Sequence, residues 1–209
     1  MAIELIVGFV IADLALIVSP GPDWIYVLTR GIGHGRQVAL WSVVGVCLGY
    51  LGHTILVVAG LAALITASTT AFTTIRVAGA LYIIYLGIRL LITRTNPFGT
   101  TEASEPPSPR SAVAQGAWTS GLNPKGLLLY FAVLPQFITA NSTISPTLQL
   151  AALGLLHVLG CAAIYGALAA GSGAIGNRLQ KRPTTTRRIQ HGAGLVLTVL
   201  GGKLLADTR

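Results

Sequence analysis

Six stretches of this chain run for about 20 mostly apolar residues each, the length an α-helix needs to cross the hydrocarbon core of a bilayer. They fall at roughly Ile3 to Leu28, Val38 to Ile65, Phe72 to Ile92, Ala112 to Ile138, Leu148 to Ala170 and Ile189 to Ala206. Backbone in lipid must satisfy its own hydrogen bonds, which leaves helices or a closed barrel. The ten-residue alternation of a barrel is missing, so helices are expected. Composition points the same way: 10% of residues are charged and 53% hydrophobic, against roughly 25% charged in a soluble domain. A mean hydropathy of +0.72 also excludes disorder. The first apolar stretch follows Glu4 rather than a basic region and no A-x-A site precedes a mature domain, so it is expected to be kept as a span.

The basic residues orient these segments. Arg30 and Arg36 lie at the first connection, Arg89, Arg94 and Arg110 at the third, and Arg178, Lys181, Arg182, Arg187 and Arg188 at the fifth, whereas the second and fourth carry no charge. By the positive-inside rule the odd connections face the cytoplasm and both termini the opposite side. The net charge of +8 therefore reads as orientation, and no nucleic-acid partner is implied; the membrane lipid itself is the surrounding partner. The proline-rich stretch 96–110 reads as a cytoplasmic linker dividing a single membrane domain, 1–209, into a repeat over 1–95 and another over 111–209.

The halves are similar. AGALYIIYLGIRLL at 78–91 aligns without gaps on GAGLVLTVLGGKLL at 192–205, pairing Leu81 with Leu195, Gly87 with Gly201 and Arg89 with Lys203. Each half also has a proline break inside an apolar segment, SPGPD at 19–23 and NPK at 123–125. Three spans per half force the halves to run in opposite senses, so the expected fold is all-α, six transmembrane helices in two inverted three-helix repeats, with helices 1 and 4 broken at the proline motifs. Secondary transporters use this plan, with sites at discontinuous helices near midplane. Pro20, Gly21, Pro22 and Pro124 are thus candidate helix-break residues, since proline frees backbone carbonyls that only protein or a watery cavity can satisfy.

Charges inside the spans are the candidates for chemistry. Asp13 lies roughly 15 Å into the first segment at 1.5 Å per residue. Asp23 follows the first break, where it would also suit a helix cap, and Lys125 follows the second. A lysine beside a broken helix can seat a carboxylate, and either aspartate can face an ammonium group, which together describe a zwitterion site. Asn123 and Gln136 are polar candidates for the same site. His53 and His157, in spans two and five, are candidate proton relays, although a lone histidine on an apolar face more often serves packing. Tyr50, Tyr82 and Tyr85 read as packing or interfacial anchors that could also line a polar path. Gly45 and Gly49 form a G-x-x-x-G whose meaning is close helix contact. Cys47 and Cys161 sit in apolar stretches and imply neither a disulfide framework nor a metal cluster. No nucleophile elbow, zinc helix or P-loop is present, so neither an enzyme nor an ATP-driven pump is expected, and no cofactor or metal is implied.

SPGPDWIYVLTRGIGHGRQVAL, LYIIYLGIRLL and NPKGLLLYFAVLPQF, in this order and spacing, resemble the LysE/RhtB family of amino-acid exporters from Phe9 to about Leu205. The resemblance implies a multi-pass bacterial inner-membrane protein that exports threonine-, homoserine-, lysine- or leucine-like amino acids, coupled to ion movement. It assigns the family's PGP to Pro20, Gly21 and Pro22, the polar residue after it to Asp23, NPK to Asn123, Pro124 and Lys125, PQF to Pro135, Gln136 and Phe137, and the second-helix histidine to His53. Two departures stand out: Tyr50 lies near where some members carry an acid, and Asp13 is outside the family pattern. A metal or inorganic-ion exporter on the same scaffold is the alternative, and it would need clustered ligands that two cysteines, one methionine and scattered histidines hardly supply. The expected partner is a small-molecule amino acid, and a homo-oligomer is compatible with the sequence.

Overall fold

A computed structural model describes residues 3–67, 69–92, 105–139, 142–174 and 183–206. Helix α1 (Ile3–Val18) ends before Pro20, and α2 (Pro22–His34) starts with a proline at its first position, the axis bending by 49° between them. Gly35, with φ of +88°, turns the chain into α3 (Arg36–Ala67), a backbone region that only glycine enters without strain. α4 (Thr69–Ile92) follows.

Ser108 caps α5 (Pro109–Gly121) by accepting from the Ser111 amide. The expected fourth segment is then divided. α6 (Pro124–Leu128) restarts the helix under an Asn123 cap, a π-turn covers Leu129–Val133 and a 3-10 turn covers Leu134–Phe137. Pro135 has no N–H to return to the carbonyl of Phe131, which disfavours regular helix there. α7 (Pro146–Ala170) begins at a Ser145 cap, and α8 (Pro183–Ala206) completes the described chain. Most of the expected linker, 96–104, lies outside the described residues, as do Arg94, Arg178, Lys181 and Arg182.

Among the described residues, α3 and α7 are each long and apolar enough to cross a membrane, and the bent pair α1–α2 makes a third span if taken as one. The other expected spans correspond to α4, to α5 with α6 and its turns, and to α8, whose apolar runs are shorter: Lys125–Phe137 and His191–Ala206 for the last two. The reason is local. α5 carries Arg110, Ser111, Gln115 and Thr119, and α8 opens on three threonines and two arginines.

Packing is closest where side chains are absent. α3 lies against α5 and α7, and α4 against α8. A Cβ on Gly116 of α5 would stand 2.5 Å from the Ser42 carbonyl of α3, and one on Gly45 would strike the Val113 carbonyl, so the G-x-x-x-G does mark a close crossing. The aligned pair Gly87 and Gly201 occupies the α4–α8 contact: a Cβ on Gly87 would lie 2.7 Å from the Gly194 carbonyl, and one on Gly201 3.1 Å from that of Ala80. Polarity is inverted relative to a soluble protein. Ile55, Leu159 and Val199 are over 60% exposed, while Asp13, Asp23, His53 and His157 are buried.

Candidate functional site

The site starts from backbone that α1 cannot use. In a continuous helix the Leu16 carbonyl would accept from residue 20, but Pro20 has no N–H to donate. Leu16 O accepts instead from Ser19 Oγ at 3.0 Å and from Lys125 Nζ at 2.9 Å. Lys125 Nζ also donates to Ser19 O at 3.0 Å, with Ser19 Oγ at 3.5 Å. The neighbouring Ile17 carbonyl takes the indole N–H of Trp24 at 2.8 Å. The ammonium of Lys125 therefore sits on the C-terminal end of α1, where the helix dipole favours a cation.

The opposite charge lies across the same break. Asp23, in the first turn of α2, is fully buried, and its Oδ2 accepts from the Tyr50 hydroxyl and from Asn123 Nδ2, the latter at 2.7 Å. Asn123 spends its other amide atom locally: Oδ1 accepts from the Lys125 backbone N–H at 3.0 Å and caps α6. One asparagine thus orders the second break and ties it to the first. Asp23 Oδ1 has no hydrogen-bond partner among the described residues. Lys125 forms no ion pair with Asp13 or Asp23 among the described residues.

A second polar pair lies beside the first. Asp13 Oδ1 on α1 is 2.5 Å from His157 Nδ1 on α7, and His157 Nε2 is 3.4 Å from Cys161 Sγ one turn on. The His157 ring meets the Tyr50 ring edge-on at 4.6 Å between centroids and the Tyr130 ring at 5.5 Å. Tyr130, carried inward by the π-turn, accepts from Thr54 Oγ1 at 3.0 Å and donates to the Gly154 carbonyl at 3.3 Å. Tyr50 is therefore the bridge, with its hydroxyl on Asp23 and its ring on His157. A void of about 10 Å³ lies among Leu16, Ile17, Tyr50, Lys125, Gly126, Leu129, His157 and Tyr165, which is about one water-sized sphere and far below the volume of an amino acid.

A family model for LysE type translocators matches residues 14–208. The chain belongs to this family. It is 30% identical over 154 residues to the "Uncharacterized membrane protein YrhP" of Bacillus subtilis, covering 69% of this chain and 73% of that one. It is 35% identical over 140 residues to the "Leucine efflux protein" of Enterobacter sp., covering 65% and 64%, and 33% identical over 136 residues to that of Klebsiella pneumoniae, covering 64% and 63%. The chain thus spans just under two thirds of those two efflux proteins. No solved structure matches it.

In this LysE-family chain the residues singled out from sequence fall into three groups. Lys125, Asn123 and Asp23 converge with the backbone around Pro20, Gly21, Pro22 and Pro124. Asp13 and His157 pair with each other, one tyrosine ring away. His53 and Gln136 hydrogen-bond at the margin: His53 Nε2 donates to the Gly121 carbonyl at 3.1 Å with its ring 5.4 Å from that of Tyr130 and 6.0 Å from that of Tyr50, and Gln136 Nε2 donates to Ala132 O at 3.1 Å beside the 3-10 turn. Tyr130, Thr54, Ser19 and Trp24 were not singled out, and Tyr50 was read chiefly as packing or anchoring. Tyr50 had a usable signal: it lies three residues before His53, on the same helical face, and a tyrosine buried in a span needs a partner for its hydroxyl. Thr54 and Tyr130 had none, because their hydroxyls meet across segments 76 residues apart.

Proposed function

We propose that this LysE-family chain is a secondary transporter that exports amino acids, leucine-like ones included, from the cytoplasm across the bacterial inner membrane. The observation that carries this reading is the interlock of the two breaks. The cation of the second half is held by broken-helix carbonyls of the first, and the carboxylate of the first by the asparagine of the second. Such a contact closes the site while it lasts and must part for anything larger than the 10 Å³ void to enter. Alternating access by rocking of two three-helix repeats, 1–95 and 111–209 about the linker 96–110, does this. The opposed Gly87 and Gly201 in the α4–α8 contact support a pseudo-symmetric arrangement. The basic odd connections support both termini outside.

In this reading Lys125 receives the substrate carboxylate. Asp23, with one oxygen unpartnered, supplies the negative charge that balances the ammonium. Asp13 is already engaged by His157 and is assigned instead to the coupling ion, a proton. Asn123 orders both breaks; Gln136 and His53 belong to the surrounding shell. The relatives named for leucine efflux support leucine as the first substrate to test. Cells loaded with labelled amino acids should lose leucine faster when they make the protein, and unchanged retention across a broad panel would overturn the proposal.

A further inference from the structure

A primary ammonium ion already occupies the broken end of α1, and a primary ammonium ion is one end of nearly every α-amino acid. We infer that the carbonyl oxygens of Leu16 and Ser19, with Ser19 Oγ beside them, form the binding site for the substrate's ammonium group, and that Lys125 fills this site between transport events. The inference rests on the export reading and goes beyond it, because it assigns the ammonium's hydrogen bonds to backbone atoms and leaves Asp23 to supply only charge.

Four observations lead there. The acceptors number three, at 2.9, 3.0 and 3.5 Å from Nζ, matching the three N–H donors of an alkylammonium. The freedom of one of them is built into the sequence, since Pro20 removes the donor that Leu16 O would otherwise use. Room for an approaching group is also built in: a Cβ on Gly21 would stand 3.1 Å from Nζ, and the residue there has none. Finally, the void beside the site is lined by both Leu16 and Lys125, so withdrawal of the lysine enlarges a space that Leu16 already lines.

The chemistry of exchange favours a zwitterion. Moving Lys125 off the carbonyls leaves a desolvated cation and freed acceptors, both costly in the interior. An amino acid repairs both at once, its ammonium replacing Nζ on Leu16 O and Ser19 O and its carboxylate pairing with the released lysine. No covalent bond is made or broken and the net charge of the site is unchanged. A carboxylic acid without the amine leaves the Ser19 carbonyl without the donor it had and the Leu16 carbonyl with Ser19 Oγ alone, and an amine without the carboxylate leaves the lysine unpaired. Both should be poor substrates by about tenfold or more, the equivalent of one hydrogen bond to a charged group.

The test uses the full-length protein in two ways. In proteoliposomes, efflux of leucine is compared with that of 4-methylpentanoate, which lacks the amine, and 3-methylbutylamine, which lacks the carboxylate. Leucine is expected to move at least about tenfold faster than either. Transport of 4-methylpentanoate at the leucine rate overturns the ammonium site while leaving export standing, whereas no transport of any amino acid overturns the export reading itself. Separately, thermal unfolding of purified Lys125→Ala is followed with methylammonium, tetramethylammonium or sodium. Methylammonium is expected to raise the midpoint of the variant and not of the wild type, because it refills the vacated acceptors. Equal stabilisation by sodium or tetramethylammonium, or none by methylammonium, overturns the assignment; if the variant cannot be purified folded, the substrate comparison on the wild type decides alone.

Discussion

His157 Nδ1 on α7 and Asp13 Oδ1 on α1 are 2.5 Å apart, so an imidazole of the second half and a carboxylate of the first are hydrogen-bonded in the apolar interior. In the proposed alternating-access cycle, motion of α1 against α7 stretches this bond. Asp13→Asn keeps the shape and removes the charge. It is expected to abolish the response of leucine efflux to an imposed proton gradient while leucine–leucine exchange persists. Loss of both in a folded variant would mean that the pair is needed for substrate binding instead.

Removing one partner outright is a different matter. Asp13→Ala leaves His157 buried without its partner, for which a cost of about 3–5 kcal/mol is expected. Its thermal midpoint should therefore fall well below that of Asp13→Asn. Equal midpoints would show that the pair contributes little to the fold.

Asn123 and Tyr50 both donate to the same oxygen, Oδ2 of Asp23. Asn123→Ala removes the α6 cap as well, which costs about 1 kcal/mol, and the lost bond to a charged group adds about 1.5–3. Tyr50→Phe should cost less than Asn123→Ala. Because the two donors share an acceptor, the double variant is expected to differ from the sum of the singles by at least about 0.5 kcal/mol. A double-mutant cycle on unfolding in detergent measures this, and strict additivity would separate the two contacts.

Gly21 separates binding from stability. Its φ of −164° is open to any residue, so Gly21→Ala brings no backbone strain. The new Cβ meets the flexible end of Lys125 at 3.1 Å and pushes it off the carbonyls by a few tenths of an ångström. Efflux should fall about fivefold, the equivalent of about 1 kcal/mol, with little change in the unfolding midpoint. A drop in midpoint with normal efflux would contradict this.

Gly116 should behave in the opposite way. Gly116→Ala sets a methyl 2.5 Å from the Ser42 carbonyl, and since backbone cannot swing aside the helices must part, at about 1–3 kcal/mol. Gly52→Ala, whose Cβ meets nothing within 4 Å, is the control and should be neutral or slightly stabilising. Thermal unfolding of the two variants side by side checks the contrast.

Helices, their approximate ends and the glycine contacts were legible in the residues because each depends on local chemistry: apolar run length, proline without an N–H, glycine without a Cβ. The stretch 112–138 was less so. Asn123 and Pro124 marked its break, but the π-turn and 3-10 turn after Leu128 had no signal apart from Pro135, since both depend on how Tyr130 and Phe137 are received by Thr54, Gly154 and Phe9.

For the site, sequence alone determined which groups are out of place in lipid: Asp13, Asp23, Lys125 and the Leu16 carbonyl, whose helical donor Pro20 removes. A buried charge must find a partner, and that need can be read from position along a segment. Which partner it finds cannot, because Leu16 and Lys125 are 109 residues apart, and Asp13 and His157 144. Only the tertiary structure decided that the lysine rests on carbonyls rather than on either aspartate, that Asp13 belongs to His157, and that Tyr50 joins the two pairs. Those choices follow from the crossing of helices whose close approach is allowed by glycine, and a crossing is a property of two surfaces rather than of one sequence segment.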